Sequence, residues 1–372
     1  MLGLIALCLS TASLAQTCAE SQPCMRARGA VEDLVRIVAP DGVQETYKAS
    51  IGGIAQWINV RGQDKSNPMI LFVHGGPASP TMPTTWQWQR PVEEYFTVAH
   101  YDQRGVGKTL RANDVDAVAE TIHIDRFVDD AIEVAEHLRA KYGKDKLILA
   151  GHSWGTIIAT RAALKRPELF HAYVGMGQVA SVRENERISF EYGMAQARKH
   201  GNAEALTEMA AIAPYPGDQP ITRERIIVAR KWPQYYGGLS AYRSDSKYFF
   251  SGPILSPEYD QSDWKAINEG SLLTLGRVLQ EWTEVDFSQV KRFPIPIVQF
   301  LGRHDYTTPT EPVVKWMAQL KAPYKHSVWF ERSAHMMPWE EPGKLLTSLL
   351  TYVRPLAVPA AGKRRAKGYT AP

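Results

Sequence analysis

The pentapeptide Gly151-His152-Ser153-Trp154-Gly155 has the residue types of a nucleophilic serine site. It follows the apolar run Leu147–Ala150, which suits a buried strand. It precedes Thr156, Ile157, Ile158, Arg161 and Ala162, whose spacing predicts a helix closed by Pro167. A strand that turns directly into a helix holds its corner residue in a strained conformation, and glycines on either side keep side chains out of the corner. Ser153 is thereby lifted out of the sheet. The backbone N–H of Trp154 faces the same space, where it can donate to an oxyanion. A tight corner with an idle serine is the bland alternative.

A serine hydroxyl needs a base at neutral pH, and the base needs an orienting group. Of the ten histidines, His335 is best placed. It lies in the loop Ser333–Met337, after the strand Ser327–Phe330 and before a helix starting near Pro338. Asp305 follows the strand Ile295–Leu301 in Gly302-Arg303-His304-Asp305-Tyr306-Thr307-Thr308-Pro309. The order Ser153, Asp305, His335 is one in which His335 takes the serine proton and Asp305 holds the other ring N–H. Asp305 could instead only shape an Asx-type turn. Glu311 is a substitute acid, His304 is a neighbouring competitor, and His335 itself could be a surface residue near Glu340 and Glu341. His74 and His152 adjoin the site, but their loops suggest structural hydrogen bonds. The glycines of His74-Gly75-Gly76-Pro77 let a backbone N–H approach a substrate oxygen. Gly76 is assigned as the second oxyanion donor, with Gly75 its neighbour.

These residues require a sheet to bring them together. Met69–Val73 is a continuous apolar run, as expected of a central strand buried on both faces. Phe96–Tyr101 and Ala172–Met176 read as further strands, and Ile124–Tyr142 as an amphipathic helix. A helix is expected over about Thr84–Tyr95. Ala30–Val60 reads as antiparallel strands, with Val31–Ile37 and Thr46–Val60 on either side of Pro40-Asp41-Gly42. Alternating strand and helix predict an α/β fold with a mostly parallel sheet and helices on both faces. His74, Asp102 and Ser153 all follow strand ends and should gather at the carboxyl edge. From Ser181 to about Val290 the strand pattern stops. Ile188–His200, Ala203–Ile212 and Ile221–Trp232 have helical spacing, and aromatic residues are dense. Helices inserted between two sheet strands predict a lid over the site.

The segments His74-Gly75-Gly76-Pro77, Asp102-Gln103-Arg104-Gly105-Val106-Gly107 and Gly151-His152-Ser153-Trp154-Gly155 together resemble the proline iminopeptidase (prolyl aminopeptidase) family of the α/β-hydrolase fold. The likeness covers about Ile51–Gln178 and, more weakly, Ile295–Val353. It implies release of an N-terminal residue, usually proline, through an acyl-enzyme. Ala78, Lys108-Thr109 and His152 depart from the family pattern, and the lid lacks a clear match to its acidic, tryptophan-rich signature. An exopeptidase must recognise a free ammonium, for which a lid carboxylate is the natural partner. Glu184, Glu186, Glu191, Glu269 and Glu281 are the candidates, each also readable as solvated helix surface. An esterase or lactonase for small apolar esters, held by the aromatic lid, is the alternative. A non-catalytic receptor on the same scaffold would be favoured by a broken triad, and none is visible. Ser153 at the corner disfavours epoxide or haloalkane hydrolysis through an aspartyl nucleophile.

The 372 residues carry a net charge of +4, which Lys363, Arg364, Arg365 and Lys367 account for by themselves. The body is therefore neutral overall, which argues against a nucleic-acid partner. The partners expected are a small-molecule or short-peptide substrate, with no metal or other cofactor and no stable membrane insertion. Leu2–Ala15 is apolar and uncharged, and Ser13-Leu14-Ala15 resembles a signal-peptide cleavage site, although no Lys or Arg precedes it. Export to the periplasm or medium would leave Cys18 and Cys24 as a pair suited to a disulfide. The expected organisation is a signal peptide (1–15), the first part of the core (16–180), a helical lid (181–290), the second part of the core (291–354) and a disordered basic tail (355–372).

Overall fold

A computed structural model describes residues 21–358 of the chain. The expected signal segment, Cys18 and the basic stretch from 359 onward lie outside the described residues. Cys24 is disulfide-bonded.

Eight strands form one sheet: β1 (Val43–Ile51), β2 (Ile54–Gly62), β3 (Met69–Val73), β4 (Thr97–Tyr101), β5 (Leu147–His152), β6 (Phe170–Met176), β7 (Ile297–Gly302) and β8 (Lys325–Phe330). Their order across the sheet is β1-β2-β4-β3-β5-β6-β7-β8. β1–β2 and β2–β4 are antiparallel, and every other pairing is parallel. The longer helices are α1 (Gln22–Val35), α2 (Ile124–Tyr142), α3 (Trp154–Lys165), α4 (Val182–Lys199), α5 (Ala203–Ala210), α6 (Arg223–Pro233), α7 (Gln261–Thr283), α8 (Thr310–Gln319) and α9 (Pro342–Ser348).

The two-residue period of the strands divides the apolar side chains between two cores. Leu71 and Val73 of β3, Leu147 and Leu149 of β5, and Ile297 and Leu301 of β7 join one core with Phe127, Ala131 and Leu138 of α2 and Ile157, Ile158 and Ala162 of α3. Ile70, Phe72, Ile148, Ala150, Val298 and Phe300 join the other, with Trp88, Val92, Leu345 and Leu349. Each fully buried aliphatic side chain contributes about 1.5–3 kcal/mol relative to exposure. Helices thus cover both faces, as the unbroken apolar strands require.

α2 takes the bounds its periodicity predicts. His123 caps its start by accepting from Arg126 N–H, and Gly143 ends it at φ 62°. Two expectations are corrected. Gln22–Val35 is helical where Val31–Ile37 reads as a strand. Val31, Leu34 and Val35 are spaced i, i+3, i+4, so the same apolar residues also satisfy a helix. Between β3 and β4 there is no long helix over Thr84–Tyr95. The 3₁₀ turns Met82–Gln87 and Val92–Glu94 stand there instead, and Pro91, which has no N–H to donate, lies between them.

The lid is inserted between β6 and β7 and comprises α4 to α7 with shorter turns between them. Its longest helix, α7, begins with a reciprocal capping box between Asp260 and Asp263. The same Asp263 accepts from Lys108 Nζ at 2.6 Å and from Arg111, which joins the lid to the loop after β4. Gly270 lets α7 settle against that loop, since a Cβ there would lie 2.1 Å from the Gly105 carbonyl oxygen. Arg104 of the same loop is buried and makes two 3.0 Å bonds to Asp130 of α2. The short helix Arg354–Ala357 occupies the start of the segment expected to be a disordered tail. Among the described residues no helix is long and apolar enough to cross a membrane.

In the core, α3 packs closely against β3. A Cβ on Gly155 would meet the Val73 carbonyl oxygen at 2.1 Å and that of His74 at 2.6 Å. Gly155→Ala should therefore push α3 off the sheet and lower stability by about 3 kcal/mol, the upper end of the usual cost of overpacking. Urea denaturation of the two proteins measures the difference.

Candidate active site

Ser153 connects β5 directly to α3 at φ 55° and ψ −125°. Positive φ is unfavourable for a residue with a Cβ and is held here by the packing of both flanking elements. Its N–H donates to the Met176 carbonyl at 2.9 Å. Gly151 belongs to the same corner, because a Cβ there would come within 2.8 Å of the Gly155 oxygen.

His335 and Asp305 lie on the loops after β8 and β7 and are 3 % and 2 % exposed. His335 Nδ1 is 2.9 Å from Asp305 Oδ2. Asp305 Oδ1 accepts the N–H groups of Thr307 at 2.9 Å and Thr308 at 2.8 Å. The Thr308 hydroxyl donates to Oδ2 at 3.0 Å. Asp305 therefore makes an Asx-type turn with one oxygen and holds the imidazole with the other, so the two readings open from the sequence hold together. Gly177 gives the ring its room: a Cβ there would be 2.7 Å from His335 Cε1. Glu311 instead pairs with Lys315 on the surface at 2.7 Å, and His304 is a half-buried partner of the exposed Tyr242 hydroxyl at 2.8 Å.

The loop after β3 lies against the same corner. A Cβ on Gly75 would be 3.0 Å from Ser153 Cβ, and Gly76 takes φ 121°. Gly76, Ser153, Trp154 and His335 line one cavity of about 350 Å³. Neither the Gly76 nor the Trp154 N–H is taken up by a loop or cap hydrogen bond. As the first residue of α3, Trp154 carries one of the free donors of a helix start.

Three side chains fix this loop. Gln103 N–H donates to His74 Nε2 at 3.1 Å, which makes Nε2 the acceptor and leaves Nδ1–H to donate to the Gly75 carbonyl at 2.9 Å. The Gln103 amide donates to the His74 carbonyl at 2.8 Å and accepts from the Trp154 indole at 3.1 Å. Burial lowers the His74 pKa to about 4, so the ring is neutral as this network requires. His152 is likewise lowered to about 3, chiefly by burial and then by His335, and its Nε2 lies 3.0 Å from the His335 carbonyl. Asp102, at the end of β4, accepts Lys108 N–H at 2.7 Å and the Tyr259 hydroxyl. Burial raises its pKa to about 7. It ties the lid to the core and does not line the cavity.

The five lid carboxylates fall outside the cavity lining. Glu184 and Glu191 both pair with Arg187 at 2.7 Å. Glu269 is an exposed neighbour of Lys265 at 3.7 Å. Glu281 accepts Ile124 N–H at 2.8 Å and so caps α2. Glu186 is buried between Arg230 and the Tyr215 hydroxyl. Among the described residues no Asp, Glu or Lys lines the cavity. Its wall is mainly apolar, with Val182, Ile226, Phe249, Ile267, Leu275 and Trp282.

Two contributors had no separate signal in the sequence. Thr308 supports both Asp305 and the ring, with its hydroxyl 3.1 Å from His335 Nδ1. Glu340 accepts Ala334 N–H at 2.8 Å and Ala241 N–H at 2.6 Å, joining the His335 loop to the lid. Burial raises its pKa to about 7. A hydroxyl, an imidazole held by a carboxylate, and two free N–H groups around one cavity are the parts needed for acyl transfer.

The family model described as "Alpha/beta hydrolase family" matches residues 70–347. The chain is 30 % identical over 310 residues to a probable aminopeptidase, YbaC, of Bacillus subtilis, covering 82 % of this chain and 95 % of that protein. It is 23 % identical over 329 residues to a proline iminopeptidase of Saccharolobus solfataricus, covering 84 % and 92 %. The crystal structure of a proline iminopeptidase from Mycobacterium smegmatis superposes with a TM-score of 0.58 at 17 % identity, covering 84 % of this chain and 99 % of that one, a likeness of fold. With the sheet order, the lid insertion and the strand-to-helix corner at Ser153, these matches establish that the chain belongs to the alpha/beta hydrolase family.

Proposed function

We propose that the protein is a serine hydrolase that cleaves carboxylic ester or amide bonds through an acyl-enzyme. The observation that carries this reading is the buried 2.9 Å contact of His335 Nδ1 with Asp305, made beside the cavity that His335 shares with Ser153. With Nδ1 engaged, Nε2 is the nitrogen left to take the Ser153 proton. The serine oxygen adds to the substrate carbonyl, and the Gly76 and Trp154 N–H groups receive the oxyanion. Collapse of the tetrahedral intermediate expels the alcohol or amine, protonated by His335. Water then adds to the acyl-serine with His335 again as base, which releases the acid and restores the Ser153 hydroxyl. Asp305 orients the ring and stabilises the imidazolium without being protonated itself.

The apolar wall supports an acyl or leaving group of aliphatic or aromatic character. A second reading, an aminopeptidase releasing an N-terminal residue such as proline, draws its support from the relatives named above. The cavity favours the broader ester or amide reading, because a buried ammonium needs a paired charge and among the described residues no carboxylate lines the wall. Proline 4-nitroanilide, its N-acetyl derivative and 4-nitrophenyl acetate, assayed together, separate the two. The cavity predicts turnover of the ester and no preference for the free amine. A strong preference for unblocked proline would return the assignment to an aminopeptidase.

Ser153→Ala should abolish labelling by a fluorophosphonate probe and lower kcat by about 10³-fold or more. Asp305→Asn should lower kcat by about 10⁴-fold with the fold retained. Glu311→Gln should cost far less, and the reverse ranking would contradict the assignment of the acid. A histidine whose pKa is lowered to about 3 is neutral throughout the working range, so His152 cannot supply an acid limb near neutrality. In His152→Gln the acid limb of the kcat/KM profile should stay in place. A shift of that limb by a full pH unit would mean that His152 titrates in the reaction.

A further inference from the structure

Among the described residues, Arg230 of α6 is the one Arg or Lys that lines the cavity, and Asn185 of α4 lines it too. Asn185 is 2 % exposed, and neither its Oδ1 nor its Nδ2 has a hydrogen-bond partner. Buried polar groups in folded proteins are nearly always paired, so such an amide facing a cavity marks a place for a ligand atom. Arg230 donates from one Nη to Glu186, and its buried Nε is unpartnered. The other oxygen of Glu186 accepts from the Tyr215 hydroxyl. Glu186 therefore holds the guanidinium in position without using all of its donors. Trp282, also on the cavity wall, stands 5.6 Å from the guanidinium carbon. Burial works against the charge on Arg230, and Glu186 foremost, with Tyr215 and Asp305, offsets that effect and keeps it cationic.

We propose that Arg230 and Asn185 form a subsite for a carboxylate on the substrate, so that the enzyme acts on esters or amides that carry an acid group on an otherwise apolar body. A planar guanidinium with free N–H groups matches the two oxygens of a carboxylate. The Asn185 amide adds a donor and, for a substrate with an N–H next to its acid, an acceptor. Val182 lies on the same helix face as Asn185, and Ile226 one turn before Arg230, so aliphatic wall adjoins the polar end. N-acyl amino acids, the monoesters of dicarboxylic acids and the C-terminal end of a short peptide share this chemistry. The subsite rests on the proposed serine-hydrolase reading in one respect, that this cavity receives the substrate.

The test is calorimetric binding to the Ser153→Ala protein, which separates recognition from turnover. Straight-chain carboxylates from butanoate to octanoate are compared with their isosteric primary amides. The best carboxylate should bind about tenfold or more tightly than its amide, as expected for a charge-assisted pair. Adding Arg230→Gln should bring that ratio to about one, and Asn185→Ala should reduce it. Arg230→Gln leaves Glu186 buried without its partner, so the double replacement Glu186→Gln/Arg230→Gln, which removes both charges, serves if the single variant does not fold. Equal affinity for acid and amide in the parent, or a preference that survives loss of Arg230, overturns the proposal. Residual esterase activity of Ser153→Ala would count against the nucleophile assignment alone and leave the binding comparison valid.

Discussion

The site depends on how closely α3 approaches β3. Gly155 sits where any Cβ would enter the Val73 and His74 carbonyls, and Gly151 lies against the Gly155 carbonyl on the inner side of the turn. That contact compresses the strand-to-helix connection into one residue, and Ser153 takes the positive φ as a consequence. The same approach brings the Trp154 N–H, free at the start of α3, beside the loop after β3. Exposure of the serine, the position of the proposed oxyanion donor at Trp154 and the packing of α3 are thus one constraint. The strain at Ser153, of order 1–3 kcal/mol, is offset by the apolar core around Ile157, Ile158 and Ala159.

A second layer of contacts holds the loops at this edge. Gln103 links the His74 loop to the Trp154 indole, and Asp305 uses one oxygen for the backbone of its own loop and the other for His335. The lid is joined to the same loops. The Gly238 carbonyl accepts from Tyr306 at 3.0 Å, the Leu239 carbonyl accepts from His335 N–H at 3.1 Å, and Glu340 bridges Ala241 and Ala334. Movement of the lid would therefore be felt by the backbone of His335 and its neighbours. This coupling connects the lid, which lines nearly half of the cavity, with the part that carries Ser153, Asp305 and His335.

The parallel sheet and the residues at its carboxyl edge were legible because both follow from short, strong signals. Five buried residues in a row, Met69–Val73, admit few other structures, and the glycines around Ser153 have a steric purpose that can be stated from the residues alone. Periodicity also set the limits of α2. It failed at Val31–Val35, where three apolar residues fit a strand or a helix equally well. It also missed α7, which carries Gly270 and Gly276 in its interior. Gly270 is in fact a contact point against Gly105, and the capping Asp260 lies far from the residues it helps to place. The lid carboxylates show the same limit. Glu186 and Glu281 are indistinguishable in sequence from solvated glutamates, and only tertiary packing commits one to Arg230 and the other to the start of α2. Nothing in the neighbourhood of Asn185 or Arg230 separates them from surface residues of a polar helix.

The proposed chemistry turns on transfer of an acyl group to Ser153. Incubation with 4-nitrophenyl acetate, rapid acid quench and peptide mass spectrometry read this directly. One acetyl group is expected on the peptide that contains Ser153, lost when the quench is delayed after substrate runs out. Acetyl found on a different residue, or turnover in oxygen-18 water that places the label in an aspartate side chain of the protein, would contradict it.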